Sequence, residues 1–302
     1  MNPAEPVRCS DVAGEPLPGS AKRQRVYVIL EWVNGWSRDI LDGGVFGEDL
    51  TAQLKAKLGD EAGLQLIRRP GPDGRHIDRH HLYLVFAEQA TTELLMVDGP
   101  EAILDLDLGG PGRNGAELVE EPLVLVCTHG KRDVCCALKG RPLAAALYER
   151  HPGNIVWETS HTKGHRFAPS LLLMPWGYSY GRLNEEAGDQ LVRSACRGEY
   201  FYPGNRGRGT HSPRGQVAEL AVARELHTGA DPLFYGNLMV LDETDDDVLV
   251  VHADSRSWHV AVEQREVEGV ISSCGDAPKA GRVWVATNIV PNQADVDLGE
   301  RD

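Results

Sequence analysis

Between residues 26 and 199 one order of segments occurs twice. In the first pass, VYVILEW (26–32) has the β-branched density of a buried strand. GEDLTAQLKAKLG (47–59) puts Leu50, Leu54 and Leu58 on one helical face and closes on Gly59. GLQLIRR, HLYLVFA and ELLMVDG read as three further strands, and PEAILDLDL (100–108) opens on a proline suited to the first turn of a helix. In the second pass PLVLVCT is the strand and CCALKGRPLAAALYERH the helix. NIVWETS, SLLLMPWG and YSYGRL are the next strands, and NEEAGDQLVRSACRGE is a helix opened by an asparagine cap. Each pass runs β-α-β, then β-β-α. A strand–helix–strand crossover makes parallel neighbours and a hairpin makes antiparallel ones. A chain with this order is held, twice over, to a mixed sheet with helices packed on it.

That arrangement is a thioredoxin-like core. The expected fold class is therefore α/β (α+β): two thioredoxin-like β-α-β-β-β-α halves plus a small C-terminal β-rich appendage. Residues 1–24, rich in Pro and Gly, read as an N-terminal arm; 25–115 as a cysteine-free half; 116–200 as the second half; and 201–302 as the β-rich region. The Gly-rich stretch GGPGRNGAELVEEP (109–122) marks the break between halves. Beyond it, YFYPGNRGRGTHSPRG reads as a polar loop and QVAELAVARELH as a short amphipathic helix. DDDVLVVHADSRSWHVAVEQREV reads as a hairpin turning at 254–256, VISSCG and RVWVATNIV as added strands, and VDLGERD as a frayed tail.

Charge and cysteine content narrow the function. With 31 Lys+Arg against 45 Asp+Glu, the formal charge of −14 repels phosphate backbones and argues against nucleic acid. No apolar run approaches a membrane span, and the N-terminus has no signal-peptide core, so a cytoplasmic protein is expected. Six cysteines in a reducing compartment point to metal or redox chemistry rather than to a disulfide framework.

Four donors carry that chemistry. Cys127 and Cys136 form a C-x8-C pair after one strand of the second half, and His161 and His165 an H-x3-H pair after the next. Both pairs stand at strand ends, where a rigid sheet can aim loop side chains at one point. Gly164 and Pro169 place the histidines on a loop rather than on a zinc-binding helix. A [2Fe-2S] cluster needs four protein ligands, and imidazole can replace two thiolates with a rise in potential. An imidazole N–H that titrates also couples electron transfer to pH. The first half has WVNGWSRD at the equivalent place and no cysteine, so the metal belongs to the second half.

The segments RCSDV, WSRD, CTHGKRDVCC and HTKGHRFAP resemble the sucrase/ferredoxin-like family, which is similar to the fungal actin-patch-distribution proteins and to thioredoxin-like ferredoxins. The resemblance spans residues 8 to about 290 and is sharpest over 126–182. It implies a bis-histidinyl, non-Rieske [2Fe-2S] cluster on Cys127, Cys136, His161 and His165, one-electron transfer, and an unidentified redox partner protein. It favours an electron carrier over a catalyst, and Cys136 over its neighbour Cys135. The "sucrase" in the name implies no glycosidase here, since no paired-carboxylate motif stands out.

Two other readings use the same residues. One is a thiol–disulfide oxidoreductase with Cys135 or Cys136 as nucleophile, against which the absence of C-x-x-C counts. The other is a structural Cys2His2 zinc protein, although the spacing is not that of a zinc finger. Around the four donors, His129, Lys131, Arg132, Lys163 and Arg166 read as loop residues, and Trp176 and Tyr178 as a cover over the site or ordinary turn aromatics. His76, His80 and His81 read as a polar loop. Cys9, Cys196 and Cys274 read as isolated packed thiols, and the arginines of 200–215 as a docking surface.

Overall fold

The computed structural model describes residues 7–12, 14–71, 77–227, 232–244 and 247–292. His76 and the tail from 293 onward lie outside the described residues. In the first half the elements are β1 (Val26–Glu31), α1 (Glu48–Leu58), β2 (Ala62–Arg68), β3 (His80–Phe86), β4 (Thr91–Val97) and the two-residue β5 (Glu117–Leu118). The second half has β6 (Leu123–Cys127), α2 (Val134–Arg150), β7 (Val156–Thr159), β8 (Ser170–Met174), β9 (Tyr178–Gly181), α3 (Glu185–Cys196) and β10 (Asn205–Arg208). Then come α4 (Pro213–His227), β11 (Leu238–Glu243), β12 (Asp247–His252), β13 (Ser257–Val270) and β14 (Lys279–Pro291).

β1 to β10 form one mixed sheet in the order β10-β9-β8-β6-β7-β2-β1-β3-β4-β5. The two halves repeat each other about its middle. β1 pairs parallel with β2 and antiparallel with β3; β6 pairs parallel with β7 and antiparallel with β8. β2 and β7 close the sheet antiparallel through two residue pairs, Ile67 with Thr159 and Arg68 with Glu158. Strand residues of one parity from both halves share an inner core: Tyr27, Ile29 and Tyr83 pack with Leu125, Trp157 and Leu172. The other parity of the first half packs with α1, through Val28, Leu30, Leu54 and Leu58. The other parity of the second half packs against α2 and α3, through Val124, Val126, Leu147 and Leu191.

Two expectations change. Residues 100–105 form a 3-10 turn and not an α-helix, so the halves differ at their last element. The polar loop expected at 200–215 contains the buried strand β10, antiparallel to β9. Its charge hid it: Arg206 is fully buried and hydrogen-bonded to Ser20 and Ser170, and Arg208 to the carbonyls of Trp176 and Ala87. These arginines hold the N-terminal segment and the sheet together, and are not a docking surface.

The C-terminal strands form an antiparallel sheet, β11-β12-β13-β14. It shares the core of the second half, since Val217 and Ala218 of α4 pack with Val248, Val250 and Val260 as well as with Leu191 and Tyr178. The hairpin expected at 254–256 joins β12 to β13. β13 and β14, 14 and 13 residues long, run together well past β12, and the turn between them reaches the second half's site. No helix among the described residues is long and apolar enough to cross a membrane.

Candidate metal centre

The thiols are set by the junction of β6 and α2. Asp133 caps α2, its carboxylate accepting from the amide of Cys135 at 2.9 Å. Cys135 and Cys136 therefore lie on the first turn, where successive residues diverge by about 100°. Cys136 turns to Cys127 and His161; one donor atom from each of the three lies within 4.8 Å of the others. Cys135 turns to Cys9 and Cys274 instead. Helix and strand meet backbone to backbone here: a Cβ on Gly140 would lie 2.0 Å from the carbonyl oxygen of Cys127.

Both Cys127 and Cys136 are fully buried. The Cys136 thiol donates a hydrogen bond to Cys127, and this bond, with a second from His161 and one from the amide of His129, holds the Cys127 thiol well below its ordinary range against the cost of burial. The same bond, together with burial, pushes the Cys136 thiol up. The pair thus shares a hydrogen bond that favours the anionic form at Cys127, and its proton is the one a metal would displace.

His161 leaves the end of β7, and His165 opens a 3-10 turn after Gly164. A Cβ on Gly164 would lie 2.3 Å from both Ser170 Oγ and Arg206 Nη1, so the three-residue spacer passes where only glycine fits. His165 Nε2 lies 2.5 Å from the carbonyl oxygen of Ser272 and 3.0 Å from Ser273 Oγ. A carbonyl only accepts, so Nε2 carries the proton and Nδ1 is bare. That Nδ1 faces His161 Nε2 at 3.4 Å, while His161 Nδ1 is buried without a hydrogen-bond partner. Burial, with the neighbouring His161, lowers the pKa of His165. Two buried thiols and two imidazoles, one with a bare nitrogen and one with an orphaned one, form a soft sulfur–nitrogen donor set that fits a transition metal or an iron–sulfur centre.

The first half supports this site from across the seam. Ser160, next to His161, exchanges hydrogen bonds with the backbone of Leu66 and reaches Gln65 Oε1 at 3.1 Å. His129 is buried; its Nε2 donates to Ser37 O at 2.7 Å and its ring lies edge-on to Trp36. Arg68 stacks over Trp36 and pairs with Glu158 at 2.8 Å, and Glu158 accepts from Thr128 Oγ1. The WSRD segment thus braces the loop between the thiols.

A model of the sucrase/ferredoxin-like family matches residues 17–207, well over half of the 302-residue chain. The chain belongs to that family. No curated protein and no solved structure matched it.

In this sucrase/ferredoxin-like protein the four sequence-selected donors fall inside the matched segment, as do Cys135 and Asp133, whereas Cys9 and Cys274 fall outside it. Those two are not isolated. Cys9, Asp133, Cys135 and Cys274 make a second group of donors within 4.8 Å of one another. Nothing in the spacing signals it; the clue was only that RCSD and SSCGD each set a thiol beside an acid. Cys196 is exposed and apart.

The remaining candidates are structural. His80 and His81 hydrogen-bond the Glu31 carbonyl and carboxylate, Arg166 pairs with Glu15, and Trp176 and Tyr178 pack on Tyr235. Five cations, Lys22, Arg38, Lys55, Arg132 and Lys163, and two carboxylates, Asp39 and Asp60, line a cleft of about 410 Å³ between the halves, and His129 and His161 lie in its wall.

Proposed function

We propose that this protein carries single electrons through a bis-histidinyl, non-Rieske [2Fe-2S] cluster held by Cys127, Cys136, His161 and His165 in the second of two thioredoxin-like halves. The observation that carries the reading is the meeting of Cys127, Cys136 and His161 within 4.8 Å of one another, with His165 beside His161 at 3.4 Å, in a sucrase/ferredoxin-like chain. When bound, such a cluster supplies reversible one-electron chemistry.

The chain's own residues would do the rest. Burial excludes water from the thiols, and the His129 amide gives Cys127 a hydrogen bond that favours its anionic form. The Ser272 carbonyl orients His165 and makes its Nδ1 a better donor. The basic cleft beside His161 offers an acidic redox partner, or a small anion, a place of opposite charge in an otherwise acidic protein. With six cysteines free, the reading places the protein in the reducing cytoplasm.

Anaerobically purified protein is expected to be red-brown, with iron and acid-labile sulfide in equal amounts. Cys135→Ser keeps the colour and Cys136→Ser loses it; His161→Cys and His165→Cys keep a cluster at lower potential. The opposite behaviour of the two serine variants would reassign the thiol. One observation favours a second reading: Cys127, Cys136 and His161 are close enough together to hold a single ion such as zinc. A colourless protein with zinc lost on Cys136→Ser would establish that reading and overturn the cluster.

A further inference from the structure

We propose that Cys9, Cys135, Cys274 and Asp133 form a second metal site, a closed Cys3Asp site that takes one zinc ion and fastens three remote segments together. The three sulfurs come from the N-terminal segment, the first turn of α2 and the β13–β14 turn. They lie 3.7 Å (Cys9 to Cys135), 3.2 Å (Cys135 to Cys274) and 3.5 Å (Cys9 to Cys274) apart. With a zinc–sulfur bond of about 2.3 Å, the edge of a ZnS tetrahedron is about 3.8 Å. The observed separations fall just inside that edge. Asp133 Oδ1 lies 3.3 Å from Cys274 Sγ and 3.8 Å from Cys9 Sγ, on either side of the roughly 3.5 Å expected between a sulfur and an oxygen on one zinc.

Packing alone does not explain the group. Small apolar side chains fill space, but three thiols from positions 126, 139 and 265 residues apart have been brought to one carboxylate. Cys9, Cys135 and Asp133 are buried, and only Cys274 is open to solvent, which leaves an entry path. A disulfide would single out one pair and strand the third thiol, whereas three nearly equal separations are what a central ion imposes. Asp133 is already oriented: its oxygens accept from the amides of Cys135 and Cys274, and each keeps a lone pair for a metal. Binding is balanced by release of three thiol protons, leaving three thiolates and one carboxylate on the ion.

Zinc suits this set because it accepts a tetrahedral thiolate-rich shell, and four protein ligands with no open position make the site structural, not catalytic. Its place gives it a task. The Cys274 turn carries Ser272, whose carbonyl holds His165, and Cys135 adjoins Cys136. Zinc here would lock both the hairpin and the N-terminal segment against the neighbouring centre.

The test is metal analysis of full-length protein purified anaerobically, together with zinc-edge X-ray absorption. One zinc per chain is expected, with three sulfur neighbours and oxygen, retained in Cys127→Ser and lost in the double variant Cys9→Ser/Cys274→Ser. Should the double variant fail to fold, the absorption spectrum of the wild type decides alone. A shell of two sulfurs and two nitrogens would place the zinc on the histidine pair and overturn the proposal. So would zinc-free protein, or a disulfide between any two of Cys9, Cys135 and Cys274 found by non-reducing mass spectrometry.

Discussion

His165 Nε2 lies 2.5 Å from the carbonyl oxygen of Ser272, a residue 107 positions further along the chain. The C-terminal sheet thereby finishes a site whose donors all sit in the second half. Replacing residues 271–277 by a short turn should leave both sheets folded and make bound iron about 10-fold or more easier to strip with a chelator, the usual cost of removing a ligand's outer hydrogen bond. Equal stripping rates in the two proteins would show that Ser272 is a bystander.

Gly164 leads to a sharper prediction. Its φ of −136° suits any residue, so alanine there is opposed by contact and not by backbone strain. The added Cβ would meet Ser170 Oγ and Arg206 Nη1 at 2.3 Å. Overpacking of this kind costs about 1–3 kcal/mol, and the turn between the two histidines must move to relieve it. Gly164→Ala should lower the urea midpoint and the metal content together. A loss of stability with full metal content would separate the turn from the site.

β2 and β7 pair through only two residue pairs, one of them Arg68 with Glu158, so this ion pair matters more than a surface pair. Their side chains are 26% and 11% exposed. Removing the guanidinium leaves Glu158 half-satisfied by Thr128. Breaking a buried pair costs about 3–5 kcal/mol, and the partial exposure here discounts that to about 2 kcal/mol. Arg68→Met, which keeps the contact with Trp36, should show this loss in chemical denaturation, and Arg68→Met/Glu158→Gln should recover part of it.

A pH dependence is built into the contact between Glu219 of α4 and His211, just before that helix. Burial pushes the Glu219 carboxyl up to about 7 from 4.5, and burial with the nearby Arg208 pushes His211 down to about 3 from 6.5. The two groups lie 3.4 Å apart, and Tyr178 hydrogen-bonds the carboxylate. The signs oppose. Glu219 binds its proton more tightly when folded, so its contribution to stability falls as pH rises from about 4.5 to about 7. His211 binds its proton less tightly when folded, so its contribution falls as pH drops from about 6.5 to about 3. Each shift corresponds to about 3–5 kcal/mol taken alone. Wild-type stability should therefore be nearly flat over pH 5–6. Glu219→Gln should leave a stability that climbs with pH through that window, and His211→Gln one that declines. Parallel curves for the two variants would exclude this account.

The strand and helix order was legible because period and caps are local. Gly59 after α1, Asp133 and Asn184 before α2 and α3, and the 254–256 turn lie where the side chains indicate. The cysteine and histidine pairs stood out because each is close in sequence; the structure brings Cys127, Cys136 and His161 together and sets His165 beside His161. β10 was not, since Asn-Arg-Gly-Arg reads as solvent-facing until the Ser20 and Ser170 partners are seen. Nor was the meeting of Cys9, Cys135 and Cys274, which depends on a 3-10 turn at one end of the chain and a long hairpin at the other. The role of the first half, bracing the donor loops through Ser37 and Gln65, follows only from the antiparallel joining of β2 to β7.

The contact between Cys9 and Cys274 also sets a schedule. A ribosome adding about 10 residues per second needs nearly half a minute to pass from one to the other. For about the last 11 seconds of that time Cys127, Cys136 and both histidines have been made and the β13–β14 turn has not. Loading at that stage meets an open site, and synthesis of the hairpin then shuts it.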